Sequence, residues 1–358
     1  MRSALRAFIG ALCASTTIAT AVFSGGAATA EPPISGDTGS SSGSGSGSAF
    51  QRSFASDAID QGPEMSSYLA AFGYGLLHPD AAPPGANDWD CRPSAAHPRP
   101  VVLVHGTWLN AYDSFAYLSP QLARAGFCVF ATNFGRLATM GGGGLGPLIP
   151  GRYGVGAMED SARQLGSFVD RVLAATGSDT VDIVGHSQAG PVSSQYLKFE
   201  GGQGKIGKVI TFGATSHGTT LMGIATLGRT LTSLGLNILG LYQPLIGVAN
   251  IQQVVGSPFY DKLNAQGDTV PGVAYTSVGT RHDEISNPYE WTFLQPGPDA
   301  TVDNITLQEG CEQDLSDHLT IMYSPRAASI ALRALDPVGY PELACTFNPW
   351  VIGGGGKL

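Results

Sequence analysis

Residues 181–199 read VDIVGHSQAGPVSSQYLKF. An apolar β-branched run ends at Gly185, Ser187 follows two residues later, and small residues lead into a segment with helical composition. That order predicts a strand, a tight corner and a helix. A serine on such a corner is held in strained backbone with its hydroxyl exposed above the sheet edge, provided small residues stand two before and two after it. Gly185 and Ala189 fill those positions, and Gly190 follows. The bland alternative is a serine that caps a helix N-terminus.

The same alternation continues outward from this corner. PVVLVHG (100–106), FCVFATNFG (127–135), DTVDIVG (179–185), KVITFGA (208–214) and GVAYTSVG (272–279) are short apolar runs that predict buried strands, with ITLQ (305–308) as a short last one. Helical patterns lie between them. In EDSARQLGSFVDRVLAAT (159–176), Ala162, Leu165, Phe168, Val169 and Val172 share one face. Strands that alternate with helices predict an α/β fold with one open, mostly parallel sheet covered on both sides.

A serine hydroxyl is a poor nucleophile until a base takes its proton, and the base needs an orienting acid. In folds of this kind the chain order is serine, acid, histidine. After Ser187 only His217, His282 and His318 remain. His217 leaves only Glu200 as its acid, within or just after the following helix. His282 leaves Asp261 or Asp268, neither at a clear strand end. His318 leaves Asp283, directly after the VAYTSVGT run, with Glu284 as its rival. The expected set is therefore Ser187, Asp283 and His318. Asp317 is an alternative cap for the helix after His318. A developing oxyanion needs two donors. The backbone N–H of Thr107, after the VLVHG strand, and that of Gln188 are the expected pair, with the Thr107 hydroxyl as a third candidate.

The ends of the chain carry other signals. Arg2 and Arg6 precede an apolar run, and Ala28-Thr29-Ala30 offers a cleavage site, so residues 1–30 are expected to be a signal peptide and the mature protein secreted. Residues 31–60 include SGDTGSSSGSGSGS and are expected to be a flexible linker. The folded domain is expected over 61–350 and a loose tail over 351–358. Removing residues 1–30 would take the formal charge from −9 to −11, because Arg2 and Arg6 leave with no acid. An acidic surface without a basic stripe argues against a nucleic-acid partner. Besides Cys13 there are four cysteines, an even number that suggests disulfides in an exported chain. Three pairings are possible. Cys91–Cys128 and Cys311–Cys345 are favoured because each pair flanks one short stretch. No C-x-x-C or H-x-x-x-H spacing supports a metal site.

Residues 221–255 hold a single charge, Arg229, and Leu231, Leu234, Ile238 and Leu241 recur at helical spacing. Glycines and Pro244 break the segment well short of the ~20 apolar residues of a membrane span. It is expected to be a helical cap or lid, inserted over about 219–258, with an apolar face toward an acyl pocket. The bland reading is a pair of buried helices. Residues 140–154 are expected to form a second mobile loop.

Taken in order, RPVVLVHGTW (99–108), VDIVGHSQAG (181–190), FGATSHGTT (212–220), TRHDEISNPY (280–289) and SDHLTIMYSPRAASIALRAL (316–335) resemble the bacterial secreted triacylglycerol lipases (lipase class 2) of the α/β-hydrolase fold. The resemblance covers most of residues 88–345. It implies Ser187 as nucleophile, Asp283 as acid, His318 as base, and Thr107 and Gln188 as oxyanion donors, and it agrees with the two favoured disulfides. It implies hydrolysis of lipid carboxylic esters through an acyl-enzyme, with no metal or organic cofactor. The expected partners are lipid esters and the lipid–water interface, and the expected state is a monomer. Ala189 departs from the family's usual glycine. Two other functions use the same residues differently: an acyltransferase passing the acyl group to an alcohol, and an exported lipid-binding protein with an inert corner.

Overall fold

The computed structural model describes residues 53–137, 143–220 and 246–354. The expected signal peptide, most of the expected linker, the centre of the expected cap (221–245) and the last four residues lie outside them. The described residues belong to one unit, Ala49–Leu358.

Short β-branched runs bury best as inner strands of a parallel sheet, where both faces are covered. The strands are Phe54–Asp57 (β1), Ile59–Gln61 (β2), Ala81–Ala82 (β3), Val101–Val104 (β4), Val129–Arg136 (β5), Val181–His186 (β6), Ile206–Phe212 (β7), Ala274–Gly279 (β8) and Thr301–Thr306 (β9). β2 and β3 form a small parallel pair; the others form a seven-stranded sheet in the order β1-β5-β4-β6-β7-β8-β9. β4 through β9 run parallel, and β1 runs antiparallel to β5 at the edge. This is the expected α/β-hydrolase fold.

Side chains alternate across each strand, so the sheet has two apolar faces. Val101 and Leu103 face one core with Tyr112, Leu122, Tyr323 and Ile330. Val102 and Val104 face the other with Leu165, Val169, Val192 and Tyr196. The helices follow from that division. Tyr68–Leu77 (α1), Ala111–Phe115 (α2), Leu118–Arg124 (α3) and Pro325–Leu335 (α4) cover the first face. Met158–Thr176 (α5) and Ala189–Phe199 (α6) cover the second. In α5 the predicted stripe of Ala162, Leu165, Phe168, Val169 and Val172 is buried. The helix stops where Gly177 takes the left-handed conformation with φ 73°.

Two boundaries differ from the sequence reading. Residues 54–57, assigned to the linker, pair with β5 through Phe54↔Arg136 and Ser56↔Asn133. The last strand begins at Thr301, not Ile305, and its TVDN residues are largely exposed. Both are edge strands, and an edge strand needs no continuous apolar run. The 140–154 segment also differs in its second half: Arg152 and Tyr153 are buried, and Arg152 pairs with the buried Asp113 at 2.7 Å. The disulfides are Cys91–Cys128 and Cys311–Cys345.

Candidate active site

β6 ends at His186, and α6 begins at Ala189. The two elements can meet so abruptly because Ser187 takes φ 56°, the left-handed region that L-residues avoid. Its N–H donates to the Phe212 carbonyl at 3.0 Å, which ties the strained residue to β7. Gly185 and Ala189 touch across the turn. A Cβ on Gly185 would lie 2.4 Å from the Ala189 methyl. Ala189 is thus accommodated opposite a glycine, and a side chain at position 185 would not be.

Three loops at the carboxyl ends of the strands converge on this serine. His318 Nε2 lies 2.9 Å from Ser187 Oγ. His318 Nδ1 lies 3.0 Å from both carboxylate oxygens of Asp283. Asp283 follows β8, and its Oδ1 also accepts from the N–H groups of Ile285 (2.9 Å) and Ser286 (2.6 Å). An Nδ1–H aimed at a carboxylate leaves Nε2 free to accept the serine proton. Burial alone would lower the pKa of the His318 imidazole, but the charge and hydrogen bond of Asp283, joined by the charges of Glu284 and Asp317, hold the value above the ordinary one. Serine, histidine and aspartate are all at most 5% exposed. Gly213, at the end of β7, has φ 57°, and a Cβ there would sit 3.2 Å from both Asp283 Oδ2 and His318 Nδ1.

The rivals have other partners. Glu284 Oε2 accepts from the backbone N–H of His318 at 3.2 Å, and burial raises its pKa. Asp317 Oδ1 accepts from the N–H groups of Leu319 (3.1 Å) and Thr320 (2.8 Å), so it caps the turn after the histidine. His217 is away from the serine, 3.1 Å from Asp268. His282 bridges to Asp317 by main chain.

The donors expected for an oxyanion stand at the same place. Thr107 follows β4, and Gln188 follows the serine. Among the described residues neither backbone N–H has a hydrogen-bond partner. Gln188 anchors itself by donating Nε2–H to the Gly154 carbonyl at 3.1 Å. A cavity of about 150 Å³ opens over Ser187, walled by Thr107, Trp108, Leu109, Ile285 and Leu319.

Two supports were not legible in the sequence. His186 Nε2–H donates to the main-chain carbonyl of His318 at 2.7 Å, so the residue beside the serine steadies the histidine's backbone. Burial pushes its pKa down to about 3 and keeps it neutral. Arg152, paired with Asp113, donates to the Trp108 carbonyl at 2.7 Å and holds the residue after Thr107, which itself has φ 61°. Burial raises the Asp113 carboxyl to about 6 against the pull of Arg152. The Gly-rich approach to Arg152 signals a turn but says nothing of its partner 39 residues away.

A family model for lipase (class 2) matches residues 98–292, more than half of the chain. The chain belongs to the lipase (class 2) family. The matched span holds Thr107, Ser187, Gln188 and Asp283 and ends before His318. Among solved structures, this lipase-family chain is similar to Aspergillus fumigatus lipase B at 17% identity, over 71% of this chain and 55% of that one, with a TM-score of 0.52. It thus spans little more than half the length of that protein. Bacillus licheniformis lipase BlEst2 in its mature form matches at 17% identity over 70% of this chain and 94% of its own, with a TM-score of 0.46. At 17% identity the likeness to lipase B concerns the fold alone. No helix among the described residues is long and apolar enough to cross a membrane.

Proposed function

We propose that the protein is a secreted serine hydrolase that cleaves carboxylic esters of lipids, triacylglycerols included, through an acyl-enzyme. The observation that carries this reading is the hydrogen-bonded row from Ser187 Oγ through the His318 ring to Asp283. In it, Ser187 attacks the ester carbonyl as His318 Nε2 takes the hydroxyl proton. Asp283 holds the ring in the tautomer that accepts that proton and stabilises the imidazolium. The backbone N–H groups of Thr107 and Gln188 receive the negative charge on the carbonyl oxygen. The imidazolium gives its proton to the departing alcohol, and water then repeats the sequence on the acyl-enzyme to release the acid and free the serine. Apolar Leu109, Ile285 and Leu319 on the cavity wall suit an acyl chain.

Residues 1–30 act as the export signal and 31–52 as a spacer to the folded domain, in keeping with the two disulfides. The mature enzyme works as a monomer. The test is covalent. A fluorophosphonate probe is expected to label the wild-type chain once and to leave Ser187→Ala unlabelled, with hydrolysis of p-nitrophenyl esters falling by at least ~10³-fold in the variant. Labelling or hydrolysis retained in Ser187→Ala refutes the assignment.

A further inference from the structure

We propose that Gln253 is a positioning residue for the oxyanion side of this site: its amide fixes the Thr107 hydroxyl as a proton donor toward the carbonyl oxygen of the substrate. The proposal rests on the serine-hydrolase reading above and adds a residue that the chain order of nucleophile, acid and base does not reveal.

The argument is one of donors and acceptors. Gln253 directly follows the short helix Val248–Gln252 (α7) and is only 4% exposed. Its Nε2 lies 2.7 Å from Thr107 Oγ1 and 3.3 Å from the Ala249 carbonyl. A carbonyl can only accept, so the amino end of the amide must face this pair of oxygens. The other end agrees: Thr215 Oγ1 lies 3.0 Å from Gln253 Oε1 and donates to it. With its orientation pinned at both ends, the amide donates to Thr107 Oγ1. The threonine hydroxyl therefore accepts from Gln253, and its own proton has no acceptor among the described residues.

Thr107 lines the cavity that also holds Ser187 and His318. A hydroxyl proton pointing into that space meets the negative charge that forms when the carbonyl is attacked. A lone pair pointing there would repel it. Gln253 decides which of the two the hydroxyl presents. Its main chain fixes it in place, since the Thr219 N–H donates to the Gln253 carbonyl at 2.9 Å and the Val255 N–H donates to the Thr219 carbonyl at 3.2 Å. Thr215, which orients the amide, donates its own N–H to the Ser187 carbonyl at 3.3 Å. The threonine, the glutamine and the nucleophile thus share one frame.

The decisive variant is Gln253→Glu. A carboxylate has the same shape but only accepts, so it draws the Thr107 proton toward itself and turns a lone pair to the cavity. Steady-state hydrolysis of a soluble p-nitrophenyl ester is expected to lose ~100-fold in kcat, the scale of one oxyanion donor, with KM changed less than about threefold. Binding of a boronic acid that forms a tetrahedral adduct should weaken in parallel. In a Thr107→Val background the same substitution should cost less than about threefold, while Thr107→Ser should stay fully sensitive to it. A loss in Thr107→Val as large as in the wild type overturns the proposal, as does an unchanged kcat. If Gln253→Glu does not fold, Gln253→Met keeps the length and removes both polar ends. It is expected to lose roughly tenfold in kcat in a Thr107-dependent way, and a Thr107-independent loss refutes the role. Ser187→Ala, measured alongside, separates the two readings. Hydrolysis that survives it overturns the nucleophile assignment and this proposal together. Hydrolysis lost there but intact in Gln253→Glu overturns this proposal alone.

Discussion

The proposed nucleophile and its two partners are held by different means. Ser187 is fixed by backbone and steric contact: a strand, a residue with φ 56°, and a glycine pressed against an alanine methyl. Asp283 and His318 stand on loops that are laced by side-chain hydrogen bonds. Thr280 Oγ1 donates to the Ser316 carbonyl at 2.5 Å, and Gln308 Nε2 donates to both Thr280 Oγ1 (2.9 Å) and the Asp314 carbonyl (3.0 Å). The serine has to present one atom at one point, which a rigid corner does best. In the proposed reaction the histidine faces two partners and changes its charge, which suits a loop laced by hydrogen bonds. A steric corner should fail abruptly when overfilled, and a laced loop should fail by degrees.

The largest effect is expected at the corner. Gly185→Ala sets a methyl 2.4 Å from the Ala189 Cβ and should cost about 2–3 kcal/mol of stability. Displacing Ser187 by even part of an ångström should also remove at least ~100-fold of activity. The double variant Gly185→Ala/Ala189→Gly should recover much of both, measured by thermal melting and ester hydrolysis. No recovery would show that the corner is not sterically set.

A smaller, graded effect is expected on the loop. Asp317→Ala removes the acceptor for Leu319, Thr320 and Val351 N–H groups. It should cost about 1–2 kcal/mol and roughly tenfold in kcat, with fluorophosphonate labelling slowed but not abolished. Complete loss of labelling would place this loop in the same all-or-none class as the corner.

The smallest effect is a shift on the pH axis. In the proposed mechanism His318 must be neutral to act as base, so kcat/KM should fall as pH drops through its pKa in the free enzyme. That pKa stands above the ordinary histidine value of 6.5, and Asp283 contributes most among the carboxylates that raise it. Asp283→Asn removes the raising charge, so the acid limb of its residual activity should move to lower pH. An unmoved limb would mean that the limb reports another group.

The same contrast explains what the sequence disclosed. The corner is local: strand, small residue, serine, small residue and helix are adjacent in the chain, and VDIVGHSQAG carries all of them. The inner strands were legible because both of their faces are buried. β1 was not, because FASD pairs only at an edge and exposes most of its side chains. Asp283 could be separated from Glu284 only by its place after the strand, and its contact with His318 Nδ1 is a matter of loop path that periodicity does not encode. His186, Arg152 and Gln253 escaped notice because each acts on a partner between 39 and 146 residues away. The expected apolar cap is centred on residues outside the described part of the chain.

The C-terminal region straps the histidine loop. The Leu315 N–H donates to the Asn348 carbonyl at 2.9 Å, Asn348 Nδ2 donates to Ser316 Oγ at 2.7 Å, and the Val351 N–H donates to Asp317 Oδ2 at 2.8 Å. Cys345, bonded to Cys311, moors this strap to the start of the histidine loop. The histidine loop is therefore held from two sides, by the side-chain bonds of Thr280 and Gln308 and by this strap. Reducing the Cys311–Cys345 pair would free one end of that strap without touching the sheet.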